Sequence, residues 1–312
     1  MLYDLIIIGG GPAGITAGIF GARKKLNALL ITKDFLGQVN RTSRIDNYPG
    51  FFGISGPKMI KIFEEHLKNF EIQIREQESV IKIEKRENNF LVKTDKENEY
   101  LTKTVIVATG RNPRPLKVPG EKEFIGKGVS YCSLCDAPFF QGKKVAVIGG
   151  GNSGFETALD LAKYAKEIFI FESSNRILAD EIIQEEVKKE KKIKIYLNKE
   201  IKSIEGENKV ESLIYQDLKG KEIIQMPIDG IFIQIGSIPA TGFLEGLVKF
   251  NEKDEVVVDF ETYATSCPGL FAAGDVNSGR WKQIVIAAAE GSRAALAAYE
   301  YLQNLSLNKN VV

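Results

Sequence analysis

The chain has 312 residues, about the length of two domains, and its 44% apolar and 27% charged residues are typical of a folded globular protein rather than a disordered one. The 42 Lys and Arg residues offset 41 Asp and Glu residues, so the formal net charge of +1 argues against a nucleic-acid-binding surface. No apolar run near the start is long enough to span a membrane, and Asp4 stands where a secretory signal carries positive charge, so we expect a cytoplasmic protein without a membrane partner.

A glycine-rich pattern occurs twice, at an offset of 140 positions between Leu5 and Val145. The first copy reads LIIIGGGPAG and the second VAVIGGGNSG, so each apolar run leads into G-x-G-x-x-G. Each run predicts a buried parallel strand, followed by a helix over 14–25 or 154–165 and by a strand over 28–32 or 167–172. In such a unit, the helix N-terminus binds the pyrophosphate of a dinucleotide. A single match is a weak signal, but two in the same context predict two dinucleotide-binding units.

The next segments also occur in pairs. Alternating polar and apolar residues over 79–100 and 201–227 predict antiparallel meanders with one solvated face. Each meander leads to an apolar strand that ends in glycine, over 104–110 and 230–236.

The last part of the chain has no counterpart in the second copy. Residues 269–276 predict another strand ending in Gly-Asp, and the Ala-rich residues 283–305 predict a helix. The second unit is therefore predicted to be inserted into the first, with hinge-like crossings over 111–119 and 236–242. The predicted fold is α/β, with two Rossmann-like dinucleotide-binding domains and β-meanders. The predicted boundaries are 1–113 with 239–312 for the first domain and 114–238 for the second.

The cysteines indicate redox chemistry. Cys132 and Cys135 form a C-x-x-C motif with Asp136 directly after it. A zinc site needs two more ligands, and only Cys267 and His66 remain, which are better interpreted as a buried turn residue and an ordinary helix residue, so no metal site is predicted. Beside a nucleotide-binding unit the pair is best interpreted as a dithiol that cycles with its disulfide, and two buried structural cysteines are the alternative. Asp136 suits an acid/base role, with a helix cap or a turn residue as the alternative.

Taken together, these motifs resemble those of the low-molecular-weight thioredoxin reductases and of their relative, the flavoprotein subunit of alkyl hydroperoxide reductase. The resemblance covers essentially the whole chain. The peroxide-reductase flavoprotein carries an additional N-terminal thioredoxin-like region, which this chain is expected to lack. The motifs concerned are IIIGGGPAG, Gly37-Gln38 followed by IDNYPG, VIVATG, YCSLCD, VIGGGNSG, and LFAAGD followed by RWKQ.

The resemblance implies that the first domain binds FAD. The glycines of the first turn would hold its pyrophosphate, Gln38 and Asn47 would lie beside the flavin, and Asp275 would bond to the ribityl chain. Gln283 would lie near the isoalloxazine ring. The implied FAD-binding residues are Gly9, Gly11, Pro12, Ala13, Gly14, Gln38, Asn47, Thr109, Gly110, Gly274, Asp275 and Gln283.

The resemblance also implies that the inserted domain binds a nicotinamide nucleotide through Gly149, Gly151, Asn152, Ser153 and Gly154. Electrons would then pass from the nicotinamide through the flavin and the cysteine disulfide to a partner, which is thioredoxin or another small disulfide protein. Cys135 would face the flavin, Cys132 would attack the partner, and Asp136 would be the acid/base. The family is typically homodimeric and rotates its inserted domain.

The segment after the second strand of the inserted domain bears on the electron donor. Relatives that use NADPH carry H-R-R-x-x-x-R there, whereas this chain has Glu172 at the histidine position and Ser173, Ser174 and Leu178 at the arginine positions. An acid at this place accepts hydrogen bonds from the ribose of NAD and repels a 2′-phosphate, so we expect NADH to be favoured over NADPH. Arg176 is the nearby cation, and a solvated surface charge is the alternative role for Glu172.

Three alternative functions share parts of this pattern. A related flavoprotein with a non-nicotinamide donor is disfavoured by the intact VIGGGNSG turn. A ferredoxin–nicotinamide reductase of similar fold is disfavoured because its reaction has no use for Cys132 and Cys135. A redox sensor that retains FAD but does not turn over stays open.

Overall fold

A computed structural model describes residues 1–35, 37–42 and 45–309 of the chain, apart from the side chains of residues 41, 308 and 309. These residues divide into two compact units. The first consists of Met1–Asn112 together with the chain from Ile238 onward, and the second consists of Pro113–Ser237.

Seventeen strands are present in the described residues. In chain order they are β1 (Leu2–Ile8), β2 (Ala28–Ile31), β3 (Gln73–Arg75), β4 (Val80–Lys85), β5 (Phe90–Thr94), β6 (Glu99–Val107), β7 (Arg111–Pro113), β8 (Val129–Ser130), β9 (Lys144–Ile148), β10 (Glu167–Glu172), β11 (Ile193–Leu197), β12 (Lys199–Glu205), β13 (Ser212–Asp217), β14 (Ile223–Pro227), β15 (Gly230–Ile233), β16 (Ser237–Pro239) and β17 (Leu270–Ala272). The α-helices are α1 (Pro12–Arg23), α2 (Gly56–Lys68), α3 (Ser133–Asp136), α4 (Asn152–Ala162), α5 (Glu181–Lys189) and α6 (Ile284–Lys309). Among the described residues, no helix has the length and apolarity that crossing a bilayer requires.

The first unit is built on a sheet in which β1 lies between β2 and β6. All three strands are parallel, with Ile8 of β1 opposite both Ile31 and Val107. Strand β17 continues the parallel sheet on the other side of β6. The apolar run of β1 is buried because a parallel sheet is covered by helices, here including α1, which packs on α6.

The second unit repeats this arrangement with β9 between β10 and β15, and Ile148 lies opposite both Phe171 and Ile233. Successive residues of its strands point to opposite faces of the sheet. One face packs on the meander β12–β14, and the other packs on α4 and α5. Phe171 therefore lies among meander residues, while Ile170 lies among helix residues.

Both predicted meanders form, but they connect differently. In the first unit β5 pairs antiparallel with the first half of the nine-residue β6, so the meander joins the parallel sheet. In the second unit β12–β14 form a separate three-stranded sheet, because β15 has only four residues and leaves no strand for the meander to pair with. The chain passes between the units through β7 and β16, which pair with each other.

Candidate functional site

The first glycine turn joins β1 to α1 and contains two glycines that packing requires. Gly9 has a φ of 113°, and a Cβ on it would lie 2.3 Å from the carbonyl oxygen of Ala108. A Cβ on Gly14 would lie 1.8 Å from the carbonyl oxygen of Gly9. At Gly11, by contrast, a Cβ would meet no described atom within 4 Å, so this glycine borders open space at the start of α1.

The second turn joins β9 to α4 and has the same geometry. Gly149 has a φ of 124° and approaches the carbonyl oxygen of Gln234, where a Cβ would lie only 2.1 Å away. A Cβ on Gly154 would lie 2.0 Å from the carbonyl oxygen of Gly149, while one on Gly151 would meet no described atom within 4 Å. Among the described residues no N-cap side chain bonds to the start of α1 or α4, and the first N–H groups of a helix have no partner within the helix. Both turns therefore fit the pyrophosphate of a dinucleotide.

Several predicted FAD-site residues lie at the carboxyl edge of the first sheet. Ala13 follows Pro12, the first residue of α1, and a Cβ on Gly274 after β17 would lie 3.0 Å from the Cβ of Ala13. Thr109 follows β6 and donates through Oγ1 to the carbonyl oxygen of Ala240 at 2.9 Å, and Ala240 in turn donates to Gly110 at 3.0 Å. In an open α/β sheet, ligands bind at this edge, where the strand order reverses on the two sides of β1.

Asn47 and Gln283 are brought together although they lie 236 positions apart in the chain. The side-chain N–H of Asn47 donates to Oε1 of Gln283 at 3.0 Å, and both side chains are exposed. Asn47 belongs to the loop Asp46–Phe52, which lines an open cavity of about 460 Å³. Gln38 lies exposed at the start of a short helical turn, Val39–Arg41, and the described residues do not join it to this pair.

Asp275 is half-buried three residues after β17, and its burial raises the pKa of its carboxyl group even though Lys282 and Arg111 lie near enough to oppose this. The buried Glu290 next to it accepts hydrogen bonds at 2.7 Å from the N–H of Gly274 and from the side chain of Asn277. Burial also raises the pKa of Glu290. Sequence reasoning missed Glu290, since nothing in the local pattern of this Ala-rich helix distinguishes it from the helix's other acid, Glu300.

Cys132 and Cys135 form a disulfide with a Cα–Cα distance of 5.4 Å. Cys132 stands at the start of α3, and its Sγ accepts a hydrogen bond from the N–H of Cys135 at 3.2 Å. Cys132 is half-buried and Cys135 is exposed, so the alternative of two buried structural cysteines is wrong. The third cysteine, Cys267, is buried and forms no disulfide, as expected for a turn residue.

Asp136 ends α3, directly after Cys135, and its N–H donates to the carbonyl oxygen of Cys132 at 3.2 Å. Asp136 stands at the N-cap position of the short helical turn Ala137–Phe140, but its half-buried side chain makes no capping hydrogen bond there, so its position still fits the alternative of a turn residue. On the other side of Cys132, the Ser130 hydroxyl oxygen accepts the N–H of Cys132 at 3.0 Å. The Ser133 hydroxyl donates to Asp160 on α4 at 3.1 Å. The motif is therefore anchored to the nucleotide-binding unit.

Glu172 ends β10 and is bound to the second glycine turn. One carboxylate oxygen accepts the N–H of Gly150 at 2.8 Å, and the other accepts the N–H of Ser174 at 2.7 Å. Its partial burial favours a higher pKa, but these backbone hydrogen bonds, together with those from the Ser174 and Ser173 side chains, outweigh it and hold the pKa of Glu172 below its ordinary value. Glu172 is therefore a fixed, partly buried carboxylate, and its role toward a nucleotide stays a prediction.

The loop after Glu172 is also tied to the turn. The N–H groups of Leu178 and Ala179 donate to the carbonyl oxygen of Gly150 at 2.9 and 3.1 Å. Asn152 and Asp180 exchange two hydrogen bonds of 2.8 and 2.7 Å, so the Asn152 amide holds this loop, while Ser153 stays exposed on the first turn of α4. The acid is particular to the second unit, because the residue that corresponds to Glu172 after β2 is Thr32.

Known proteins share this fold. Residues 3–291 match the pyridine nucleotide-disulphide oxidoreductase family. The thioredoxin reductase of Lactococcus lactis superposes with a TM-score of 0.91 at 36% identity, over 97% of this chain and 99% of that one. The T. acidophilum thioredoxin reductase superposes with a TM-score of 0.89 at 37% identity, over 96% and 98% of the two chains.

The chain belongs to the pyridine nucleotide-disulphide oxidoreductase family, whose members depend on FAD and a pyridine nucleotide. Its α/β fold of two dinucleotide-binding domains and its resemblance to thioredoxin reductases are thereby confirmed. An NADH dehydrogenase of Bacillus subtilis is 40% identical over 96% of this chain, and an alkyl hydroperoxide reductase subunit of Pseudomonas aeruginosa is 38% identical over 96%. The chain spans 58% of the length of each of these two relatives.

Proposed function

We propose that the chain is an FAD-dependent disulfide reductase that takes electrons from NADH and delivers them through Cys132 and Cys135 to a small disulfide protein. The observation that carries this proposal is the Cys132–Cys135 disulfide, which is anchored through Ser133 and Asp160 to the helix of the second glycine turn. The second unit, which would bind the electron donor, would thus also carry the dithiol that exchanges with a partner disulfide.

The residues of the first unit would hold FAD, which when bound supplies the two-electron chemistry between a hydride donor and a dithiol. The free N–H groups at the start of α1 would bind its pyrophosphate beside Gly11. The amide groups of Asn47 and Gln283 fix each other and would present hydrogen-bonding groups to the ring. Asp275 would accept a hydrogen bond from a hydroxyl of the ribityl chain.

The cysteine pair would carry the second half of the reaction. Two electrons and two protons convert the disulfide into two thiols, and the carboxyl group of Asp136, which directly follows Cys135, would pass one of these protons. Cys132 then loses its proton, and its thiolate attacks one sulfur of the partner disulfide, which forms a mixed disulfide and displaces the other partner sulfur as a thiolate that takes up a proton. Cys135 attacks Cys132 in that mixed disulfide, which releases the partner as a dithiol and restores the starting disulfide.

Glu172 supports NADH as the donor. Its fixed, charged carboxylate would accept hydrogen bonds from the adenosine ribose at the place where NADPH carries a phosphate. The name of the B. subtilis relative, NADH dehydrogenase, points the same way. The partner would be thioredoxin or the disulfide component of a peroxidase system, and the working form a homodimer.

The proposal is tested by anaerobic half-reactions on the purified yellow protein. Flavin reduction is followed after mixing with NADH or NADPH, and dithiol release is followed after adding thioredoxin or a glutaredoxin-like protein. Flavin reduction by NADH together with reduction of one of these proteins supports the proposal. Reduction by neither nucleotide points to another donor, and flavin reduction without any disulfide turnover points to a redox sensor.

A further inference from the structure

The buried carboxylate of Glu121 is hydrogen-bonded to the residue that directly precedes the cysteine pair. Glu121 is 2% exposed, and its two oxygens accept three hydrogen bonds. The N–H of Leu116 donates to Oε1 at 2.7 Å, the N–H of Lys117 donates to Oε2 at 2.5 Å, and the Tyr131 hydroxyl also donates to Oε1. A buried charge is tolerated only where such donors replace water, so the carboxylate fixes the position of each donor.

These donors come from two separate stretches of the unit. Leu116 and Lys117 follow the first crossing of the chain, and Lys117 has a φ of 63°, which is costly for a residue other than glycine. Tyr131 directly precedes Cys132. One carboxylate therefore joins a strained turn to the residue next to the reactive sulfur.

Tyr131 is held at both of its polar ends. Burial, together with the hydrogen bond and charge of Glu121, raises the pKa of the Tyr131 hydroxyl, which therefore stays protonated and donates. At the other end, the carbonyl oxygen of Tyr131 accepts the side-chain N–H of Gln234 at 3.3 Å. The backbone leading into Cys132 has little freedom as a result.

We propose that Tyr131, through its hydrogen bond to Glu121, is a positioning residue that holds Cys132 at disulfide distance from Cys135. This inference rests on the redox role proposed above for the pair. The Cα–Cα distance of 5.4 Å lies within the range that disulfides require. A fixed separation raises the effective concentration of one thiol at the other, and it therefore favours the disulfide over the dithiol.

The test is Tyr131→Phe, which keeps the ring and removes the hydroxyl. The purified protein is equilibrated in glutathione buffers, where the disulfide and two reduced glutathione molecules interconvert with the dithiol and one glutathione disulfide. The oxidised fraction is read by acid quenching, alkylation and mass spectrometry. We expect the equilibrium constant for disulfide formation to fall about three- to ten-fold, the range for losing one partly buried hydrogen bond.

Tyr100→Phe is the matched control, because the Tyr100 hydroxyl bonds to the buried Glu78 in the first unit at 3.2 Å, in a pair that resembles Tyr131 and Glu121. It should leave the equilibrium constant of the cysteine pair unchanged. Glu121→Gln should lower the constant as Tyr131→Phe does, and the double variant should lose less than the product of the two effects, since both remove the same bond.

An unchanged equilibrium constant in Tyr131→Phe would overturn the proposal, even with a lower melting temperature, since that combination indicates a purely structural bond. An equal change in Tyr100→Phe would overturn it as well. If Glu121→Gln does not fold, Tyr131→Phe decides alone. The measurement needs no nicotinamide and no protein partner, so its outcome is separate from whether NADH or thioredoxin supports turnover.

Discussion

The N–H of Gly150 donates to the Glu172 carboxylate at 2.8 Å, and the two residues are so close that a Cβ on Gly150 would lie 2.9 Å from Cγ of Glu172. Glycine at this position is therefore what allows the acid to approach the turn. The corresponding glycine of the first unit, Gly10, faces Phe35 and Thr32 instead of an acid. The two turns have the same backbone geometry and differ in the side chain that packs on the middle of the turn, which is Glu172 in the second unit.

Gly150→Ala should push the Glu172 side chain away from the turn without unfolding the protein, because the atoms that must move belong to a side chain. Losing a hydrogen bond to a charged group corresponds to about a ten- to hundred-fold lower kcat/KM for NADH. NADPH should be affected less. Gly220→Ala is the control, since its Cβ would meet Asp217 at an ordinary 3.8 Å. Equal losses for both nucleotides would contradict the role of Glu172.

Replacing Glu172, Ser173 and Ser174 by His, Arg and Arg should shift the donor preference toward NADPH. Repulsion between a carboxylate and a phosphate at the surface is worth about 1–4 kcal/mol, so the unmodified protein should prefer NADH by about ten- to a thousand-fold in kcat/KM. The rate of anaerobic flavin reduction by each nucleotide checks this. Faster reduction of the unmodified protein by NADPH would show that the preference is assigned wrongly.

The middle glycines of the turns should separate cofactor binding from folding. Gly11→Ala and Gly151→Ala place a methyl group in open space and leave the fold intact, but the first should lose FAD and the second should lose response to NADH while staying yellow. Gly14→Ala and Gly154→Ala place the methyl within 2.0 Å of a backbone oxygen and should destabilise the fold. Absorbance spectra and thermal melts distinguish the two classes. Full FAD retention by Gly11→Ala would argue against the first turn as its pyrophosphate site.

Cys132→Ser and Cys135→Ser should each abolish reduction of a disulfide partner and leave flavin reduction by NADH within about two-fold, since only the second half-reaction needs the pair. Cys267→Ser is the matched control, because this cysteine is buried and lies outside the disulfide. It should keep normal turnover. Disulfide reductase activity that survives in Cys132→Ser would show that another group exchanges with the partner.

Asp275→Asn should stabilise the FAD-free protein at neutral pH and weaken FAD binding. Burial raises the pKa of Asp275 in the folded state above its value in the unfolded chain. The folded state therefore binds this proton more tightly, and the free energy of unfolding falls as the pH rises from the unfolded pKa through the folded one. The gain in melting temperature should therefore be largest at about pH 7 and vanish below the unfolded pKa of about 3.9. Asp254→Asn, at an exposed acid, is the control. A gain that persists undiminished at low pH would rule out this cause.

The sequence predicts the parts of the fold that rest on strong local patterns. The strands β1 and β9 each end in an apolar run of four residues, and each is followed by a glycine with a positive φ. Strand β11 and helix α5 were not predicted, because the charged residues of EEVKKEKKIKI conceal a short helix and an edge strand. Strand β8 was not predicted either, because a strand of only two residues has no repeating pattern.

The candidate site was predictable in its motifs but not in its supporting contacts. The proximity of Asn47 and Gln283 followed from the family resemblance and not from any local pattern, because 236 positions separate them. Glu121 and Tyr131 were missed for a related reason. A buried acid becomes stable only when distant parts of the chain supply its donors, and a linear sequence does not display those partners.

The position of β17 has a consequence for the order in which the chain folds during synthesis. Domains generally fold as they leave the ribosome, and the whole segment Pro113–Ser237 is made before Leu270–Ala272 can pair with Val105–Val107 of β6. Until then that part of β6 has an unpaired edge, which is a site for aggregation. Gln283 reaches Asn47 later still. The nascent chain therefore completes its first unit only near the end of translation, and premature termination after Ser237 would leave the first sheet with an exposed edge although the inserted unit is whole.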